Sequence, residues 1–199
     1  MKIARLREVN DPFELFSVQL DDRRQRETFE RHKDSMSQRY GLLCFAPDWS
    51  SPPMWTHYAE NHVGFALGFE IADEVLIRIK YNKERIRVTA KQIERMEKAD
   101  GQQRMLELLT TKSDHWSYER ELRCFPRLRQ ADPETGMYFK SFEDNDIELR
   151  EVILGYKCEQ KYEEITKIVE GWSSRVAIKR ARPAFTKYAM VEQQNVKFR

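Results

Sequence analysis

The chain has few cysteines, and their spacing suits neither cross-linking nor metal binding. Cys44, Cys124 and Cys158 are the only three among 199 residues, and no two of them form a CxxC pair. An odd number of widely spaced cysteines argues against a disulfide framework and a structural zinc site. His57 and His62 do not share a helical face, so no metal ligand set is predicted. We therefore expect a protein of the reducing cytoplasm.

Long apolar runs and an excess of one charge are also missing. No segment approaches the roughly 18 consecutive apolar residues of a membrane span, and residues 1–12 lack a signal-peptide pattern. Thirty-five basic side chains against 33 acidic ones leave a formal net charge of +2. This charge is too small to attract nucleic acid or an anionic membrane over the whole surface. The sequence predicts no membrane partner.

Common active-site motifs are absent, but the composition is that of a folded protein. There is no GxxxxGK[ST] phosphate loop, no GxGxxG dinucleotide fingerprint and no GxSxG nucleophile elbow. Hydrophobic residues make up 40% of the chain and charged residues 34%, which is typical of a globular domain with a polar surface. The length suits one domain with a substantial core, so we predict a single domain over residues 1–199.

Hydrophobic periodicity predicts an α+β fold. Helices are predicted after Asp21, in two pieces from Lys91 to Lys112, and after Glu159. Strands are predicted at residues 40–45, 63–69, 75–81 and 149–155, with edge strands on either side of Pro183. The strands at 63–69 and 75–81 are expected to pair as an antiparallel hairpin. We expect a curved, mostly antiparallel sheet with these helices around it.

The densest group of site-like side chains lies in residues 54–70, MWTHYAENHVGFALGFE. A polar-aromatic cluster precedes a strand with bulky side chains on one face and glycine or alanine on the other. His57 and Tyr58 would offer a hydrogen-bond partner and a stacking surface to a nucleotide or nicotinamide, with room on the small-residue face. An equal alternative makes Trp55 and Tyr58 core anchors on one helical turn, with His57 satisfying a buried carbonyl group.

A second group lies in residues 114–123, DHWSYERELR. Read as a strand, this segment places Glu119, Glu121 and Arg123 on one face. Two such carboxylates can orient a ribose hydroxyl and stabilise a developing positive charge. The alternative is an exposed charged segment, since acidic and basic residues are common throughout the chain.

Five blocks of sequence carry a resemblance to a known family. They are NDPFE at 10–14, YGLLCF at 40–45, MWTHYAENHVGFALGF at 54–69, WSYERELR at 116–123 and EVILG at 151–155. Together they resemble the bacterial family catalogued as domain of unknown function 2971. The resemblance spans most of the chain, and the family name implies no chemistry.

A more distant similarity is to the sites of ADP-ribosyltransferases, in which a histidine-tyrosine element precedes a small-residue strand and a carboxylate follows. The resemblance implies that His57 bonds a ribose of NAD and that Tyr58 stacks on nicotinamide. Glu121 would be the catalytic carboxylate, and Glu119 would assist the acceptor. The implied NAD-binding set also includes Trp55, Trp116 and Arg123. In typical members the histidine and tyrosine lie on separate strands, whereas here they are adjacent, and a Ser-Thr-Ser element is absent.

Two functions follow as hypotheses, and both use a cleft where residues 54–70 meet residues 114–123. The leading one is an NAD-dependent ADP-ribosyltransferase-like enzyme that modifies a protein or a nucleic acid, in the bacterial defence or toxin setting that the resemblance implies. The alternative is a non-catalytic ligand- or partner-binding module, in which aromatic side chains line a recognition pocket and the carboxylates form structural salt bridges. The sequence does not indicate the oligomeric state.

Overall fold

The fold combines helices with short strands, most of them paired antiparallel. The computed structural model describes residues 1–9, 11, 13, 16–96, 98, 101–141, 146–170 and 175–195. The helices are α1 (Arg23–Arg39), α2 (Pro52–Tyr58), α3 (Ala90–Glu94), α4 (Gln102–Leu109) and α5 (Tyr162–Glu170). The strands are β1 (Lys2–Arg5), β2 (Val18–Gln19), β3 (Gly41–Phe45), β4 (Phe65–Ile71), β5 (Ile77–Arg78), β6 (Lys80–Asn82), β7 (Ile86–Arg87), β8 (Thr111–Ser113), β9 (Leu122–Cys124), β10 (Tyr138–Phe139), β11 (Ile147–Leu154), β12 (Ala177–Pro183) and β13 (Met190–Glu192). The predicted α+β class and the predominance of antiparallel pairing are confirmed.

The chain divides into two compact units, and neither is continuous in sequence. The first unit contains Met1–Ala46 and Glu74–Ser141, and the second contains Pro47–Asp73 and Phe142–Arg199. Among the described residues, no helix has both the length and the apolar character that a membrane crossing requires.

The first unit is built on a five-stranded sheet with the order β10-β1-β3-β9-β5. Helix α1 begins where Asp22 accepts a hydrogen bond from the Gln25 amide, which satisfies one free N–H group of the first turn. The helix was predicted after Asp21; it is mostly polar, and Phe29 is its buried apolar anchor. Phe29 joins a core cluster that holds Leu6, Leu42, Ile93 and Leu108. This core unites Leu6, just after β1, with β3 and the helices α1, α3 and α4.

The second unit is built on a four-stranded sheet with the order β13-β12-β11-β4. Strand β11 pairs antiparallel with β4 and parallel with β12, and α5 lies between β11 and β12 in the chain. Alternate residues of β11 enter two clusters, because successive side chains of a strand point to opposite faces. Ile153 joins Trp55 and Ala59, whereas Val152 and Leu154 join a cluster with α5. The sheet is therefore covered on both faces.

Two local predictions were wrong. The predicted hairpin does not form, because β4 pairs with β11 whereas β5 pairs with β9. The helix predicted to reach Lys112 ends at Leu109, and residues 111–113 form β8. Threonine is a poor helix former, and the hydroxyl groups of Thr110 and Thr111 hydrogen-bond to carbonyl groups of the last helical turn.

Parts of two predicted features lie outside the described residues. They are Asn10, Pro12 and Glu14 of the NDPFE block, and residues 171 and 172 at the end of the helix predicted after Glu159.

Candidate functional site

Trp55 is a core residue of the second unit. Pro52 and Pro53 occupy the first positions of α2, where proline favours a helix start, and one turn later Trp55 is buried to 2% exposure. Its indole Nε1 donates to the Trp49 carbonyl group at 2.6 Å. The structure agrees with the core alternative for this side chain.

The small-residue face of β4 is covered by the protein itself. Ala66 packs against the cluster that contains Trp55 and Ala59. A Cβ atom placed on Gly64, just before the strand, would lie 3.4 Å from the backbone of Ala59. The flat group that approaches Ala66 is therefore Trp55 and its neighbours. The expected room for a ligand at Ala66 is filled by the α2 segment.

His57 and Tyr58 lie on the exposed side of α2. Tyr58 is 52% exposed, and the His57 ring meets it edge-on with 6.3 Å between ring centroids. Neither residue is the core element that the alternative interpretation required. Both rings are presented toward solvent.

His62 was considered from the sequence only as a metal ligand. Glu60, Asn61 and His62 all have left-handed backbone angles, with φ of 47°, 55° and 74°. Such angles are costly for side-chain-bearing residues and mark strained segments. The His62 ring lies parallel to the Trp55 indole, with 6.2 Å between centroids, and its Nδ1 atom is buried without a hydrogen-bond partner among the described residues. Burial, and then the nearby charge of Lys157, lower the pKa of His62.

Four charged side chains form a buried ion network in the first unit. They are Lys112 on β8, Glu119 at the end of a 3-10 turn, Glu121, and Arg123 on β9, and each is at most 8% exposed. Lys112 Nζ lies 2.7 Å from Glu119 Oε2 and 3.1 Å from Glu121 Oε2. Arg123 binds both oxygens of Glu121, through Nε at 2.7 Å and Nη2 at 3.1 Å. Two cations therefore balance two carboxylates.

Backbone contacts hold the network in place. The third guanidinium nitrogen of Arg123, Nη1, donates to the Leu109 carbonyl group at 2.8 Å. The Glu121 amide donates to the Tyr81 hydroxyl oxygen at 2.8 Å, and burial is the main cause that raises the pKa of Tyr81. The half-buried ring of Trp116 lies 5.0 Å from Lys112 Nζ, which is cation-π geometry. The network thus joins the end of α4 to β6, β8 and β9.

Glu121 remains ionised in spite of its burial. Burial alone would raise the pKa of this carboxyl group, because a low-dielectric surrounding disfavours the charge. The hydrogen bonds and charge of Arg123, a hydrogen bond from the Cys44 thiol and the charge of Lys112 outweigh burial and lower the pKa to about 2. The carboxylate is therefore a fixed negative charge at physiological pH.

The strand interpretation of residues 114–123 was wrong for residues 114–119, although it brought the right carboxylates together. Residues Asp114–Glu119 form a 3-10 turn, and Arg120 follows it with a left-handed φ of 48°. This reversal turns Glu119 toward Lys112 and lets β9 begin at Leu122. The exposed-segment alternative was also wrong, since Glu119 is 3% exposed and Glu121 is 4% exposed.

Comparisons with known proteins identify the family of the central segment. Residues 54–124 match the model of a family described as a protein of unknown function, DUF2971. This segment is similar to members of DUF2971. No curated protein and no solved structure matches the chain. The resemblance drawn from the sequence is confirmed over these residues, and the blocks at 10–14, 40–45 and 151–155 lie outside the match.

The DUF2971 segment holds every residue of the predicted site. Trp116, Glu119, Glu121 and Arg123 come together in the first unit, around a lysine that the sequence interpretation missed. Trp55, His57 and Tyr58 lie on α2 in the second unit. The predicted cleft between the two groups stays a prediction. Within the described ranges, no three His, Cys, Asp or Glu side chains converge as a metal ligand set.

Proposed function

We propose that the protein is a non-catalytic ligand- or partner-binding module in which the buried ion network is structural. One observation carries this proposal. A carboxylate offers about four lone-pair positions, and Glu121 receives four donors: Nε and Nη2 of Arg123, Lys112 Nζ and the Cys44 thiol. A ribose hydroxyl could bind Glu121 only by displacing one of them. The half-buried rings of Trp116 and Tyr118, whose centroids are 6.1 Å apart, supply the recognition surface in this proposal.

The second candidate is an NAD-dependent ADP-ribosyltransferase-like enzyme that transfers ADP-ribose to a protein or a nucleic acid. It is favoured by the low pKa of Glu121, because an oxocarbenium-like transition state is stabilised by a carboxylate that stays ionised. Glu121 would exchange one donor for a ribose hydroxyl, and Glu119 would assist the acceptor.

Either function is proposed for the cytoplasm of a bacterium. The hydrogen bond from Cys44 to Glu121 requires a reduced thiol, and none of the three cysteines forms a disulfide. A reducing compartment preserves that bond.

An assay with NAD separates the two functions. Purified protein is incubated with labelled NAD and cell extract, and nicotinamide release and label transfer are measured for wild type, Glu121→Gln and the exposed control Glu84→Gln. The binding module predicts no release from any of them. Release by wild type and Glu84→Gln, with none from a folded Glu121→Gln, would establish the enzyme instead.

Calorimetry tests the recognition surface directly. NAD is titrated into wild type and Trp116→Ala, with circular dichroism to verify the fold of the variant. If wild type binds NAD without turning it over, and Trp116→Ala binds NAD more weakly, the result supports a binding module with NAD as its ligand. Equal affinity of the two proteins for NAD would remove Trp116 from the recognition surface.

A further inference from the structure

The turn between β12 and β13, residues 184–189, presents two aromatic rings to solvent and is here called the aromatic turn. Phe185 is 92% exposed and Tyr188 is 103% exposed, the two largest values for large hydrophobic side chains among the described residues. A single exposed apolar side chain is ordinary, but apolar groups exposed together mark interaction surfaces. The two rings are three residues apart, so their Cα atoms lie within about 11 Å of each other. One partner can therefore contact both rings.

Hydrogen bonds and the core of the second unit hold the aromatic turn in place. The Ala184 amide donates to the Ala189 carbonyl group at 2.9 Å, and the Met190 amide donates to the Ser50 carbonyl group at 2.8 Å. Ala181 on β12 and Met190 on β13 are both buried in the core of this unit. The strands on either side of the turn are therefore fixed, so little conformational freedom is lost when a partner binds the rings.

The hairpin that carries this turn, residues 177–192, is also locally basic. It contains four basic residues and one acidic residue, a net charge of +3, whereas the whole chain carries +2. The fold itself uses two of the cations, since Lys179 pairs with Glu151 and Arg180 donates to backbone carbonyl groups. Lys187 is exposed within the turn and forms no ion pair with a described residue. Its charge therefore favours an anionic partner.

Arg182 joins the positive charge to one of the rings. Its Cζ atom lies 4.7 Å from the centre of the Phe185 ring, which is cation-π geometry. One terminal nitrogen of the guanidinium donates to the Pro183 carbonyl group at 3.0 Å and helps to fix the group. Because Phe185 is almost fully exposed, a planar group can stack on the ring while the guanidinium edge contacts a phosphate.

From these observations we infer that the aromatic turn binds single-stranded nucleic acid. Bases stack on Phe185 and Tyr188, and the phosphates of the strand contact Arg182 and Lys187. Unpaired bases are needed, because the bases of a duplex stack on one another and offer no free face. A lipid surface is disfavoured, since Phe185 would carry the charge of Arg182 toward the acyl chains. The turn shares no residue with the ion network and is independent of the proposed function.

Fluorescence anisotropy of labelled oligonucleotides tests the inference on the full chain. The probes are oligothymidine DNA and oligouridine RNA of about 12 nucleotides, and a duplex of that DNA with its complement. We expect the single strands to bind at least tenfold more tightly than the duplex, and the tighter of the two identifies the strand as DNA or RNA. Raising the salt concentration fourfold should weaken binding about sevenfold, since two phosphates are contacted. Absence of binding to both single strands, or equal binding of the duplex, would overturn the inference.

Variants locate the binding. Phe185→Ala and Tyr188→Ala should each weaken binding of the tighter oligonucleotide about fivefold or more, because one stacked base is lost. Lys187→Gln should reduce the slope of log affinity against log salt concentration by about 0.7. All three positions are exposed, so the fold is not at risk, and circular dichroism verifies it.

A matched control and a second probe complete the test. Ile168→Ala removes a 70% exposed apolar side chain from α5 of the same unit and should leave affinity unchanged. Equal weakening by Ile168→Ala and Phe185→Ala would refute the aromatic turn as the site. The second probe is vesicles of phosphatidylserine and phosphatidylcholine. A protein that binds these vesicles through Phe185, and binds no oligonucleotide, would assign the turn to a lipid surface and overturn the inference.

Discussion

Replacement of Glu121 by glutamine should destabilise the protein by about 3–5 kcal/mol at pH 7. The pKa of Glu121 is lowered from its ordinary value of 4.5 to about 2. At roughly 1.4 kcal/mol per pH unit, this difference corresponds to about 3 kcal/mol of folding free energy. Glutamine also leaves Lys112 and Arg123 buried without their full counter-charge, and breaking a buried ion pair costs about 3–5 kcal/mol.

The same reasoning fixes how this loss depends on pH. A group whose folded-state pKa is lowered contributes its full stability above its unfolded pKa, here 4.5, and loses it as the pH falls through about 2. The difference between wild type and Glu121→Gln should therefore be largest at pH 7. The contribution of the ionised carboxylate should be less than half as large at pH 3, about 1 kcal/mol.

Urea unfolding followed by circular dichroism measures both effects. Wild type, Glu121→Gln and Glu84→Gln are compared at pH 7 and pH 3. Glu84 is exposed, so its substitution should change the unfolding free energy by less than about 0.5 kcal/mol. A Glu121→Gln difference that is absent at pH 7, or equal at both pH values, would refute the assignment of an ionised, paired carboxylate.

Three further substitutions test other parts of the fold. Trp55→Ala should cost about 3–5 kcal/mol in urea unfolding, because it empties a buried site and removes the bond to Trp49; a cost below 1 kcal/mol would contradict its place in the core. Gly155→Ala puts a Cβ atom 2.1 Å from the His62 carbonyl oxygen, so thermal unfolding should shift downward by several degrees, and an unchanged midpoint would contradict this close approach. Asp22→Ala removes the cap of α1 and should cost about 1 kcal/mol; Asp22→Asn should restore most of it, and equal losses in the two variants would argue against a capping role.

The helices and strands that the sequence predicted well are those whose own residues carry a clear apolar pattern. The sparse stripe of Phe29 and Met36 is enough to define α1, and the apolar run at 40–45 is enough to define β3. The pairing of two carboxylates in residues 119–121 was also visible, because both are close in sequence. Their pairing with Lys112 was not visible. Lys112 contacts them because α4 ends before it and because Arg120 reverses the chain.

The small-residue face of β4 shows a second limit of sequence interpretation. Glycine and alanine along a strand indicate that something approaches closely, but not what it is. At Ala66 it is the cluster that contains Trp55, eleven residues earlier in the same chain. A ligand and a neighbouring helix leave the same pattern in the sequence, and only the three-dimensional contact distinguishes them.

The interrupted layout of the second unit has a consequence for synthesis. Ile71 of β4 pairs with Ile147 of β11, so about 76 residues must be added before this strand meets its partner. At roughly 5–20 residues per second, β4 leaves the ribosome about 4–15 s before β11 does. During that interval Phe65 and the unpaired edge of β4 are available to other chains. The charged surface favours solubility of the folded protein, but it does not protect β4 in the unfinished chain. Overproduction should therefore depend on the supply of chaperones. We expect these chaperones to bind β4.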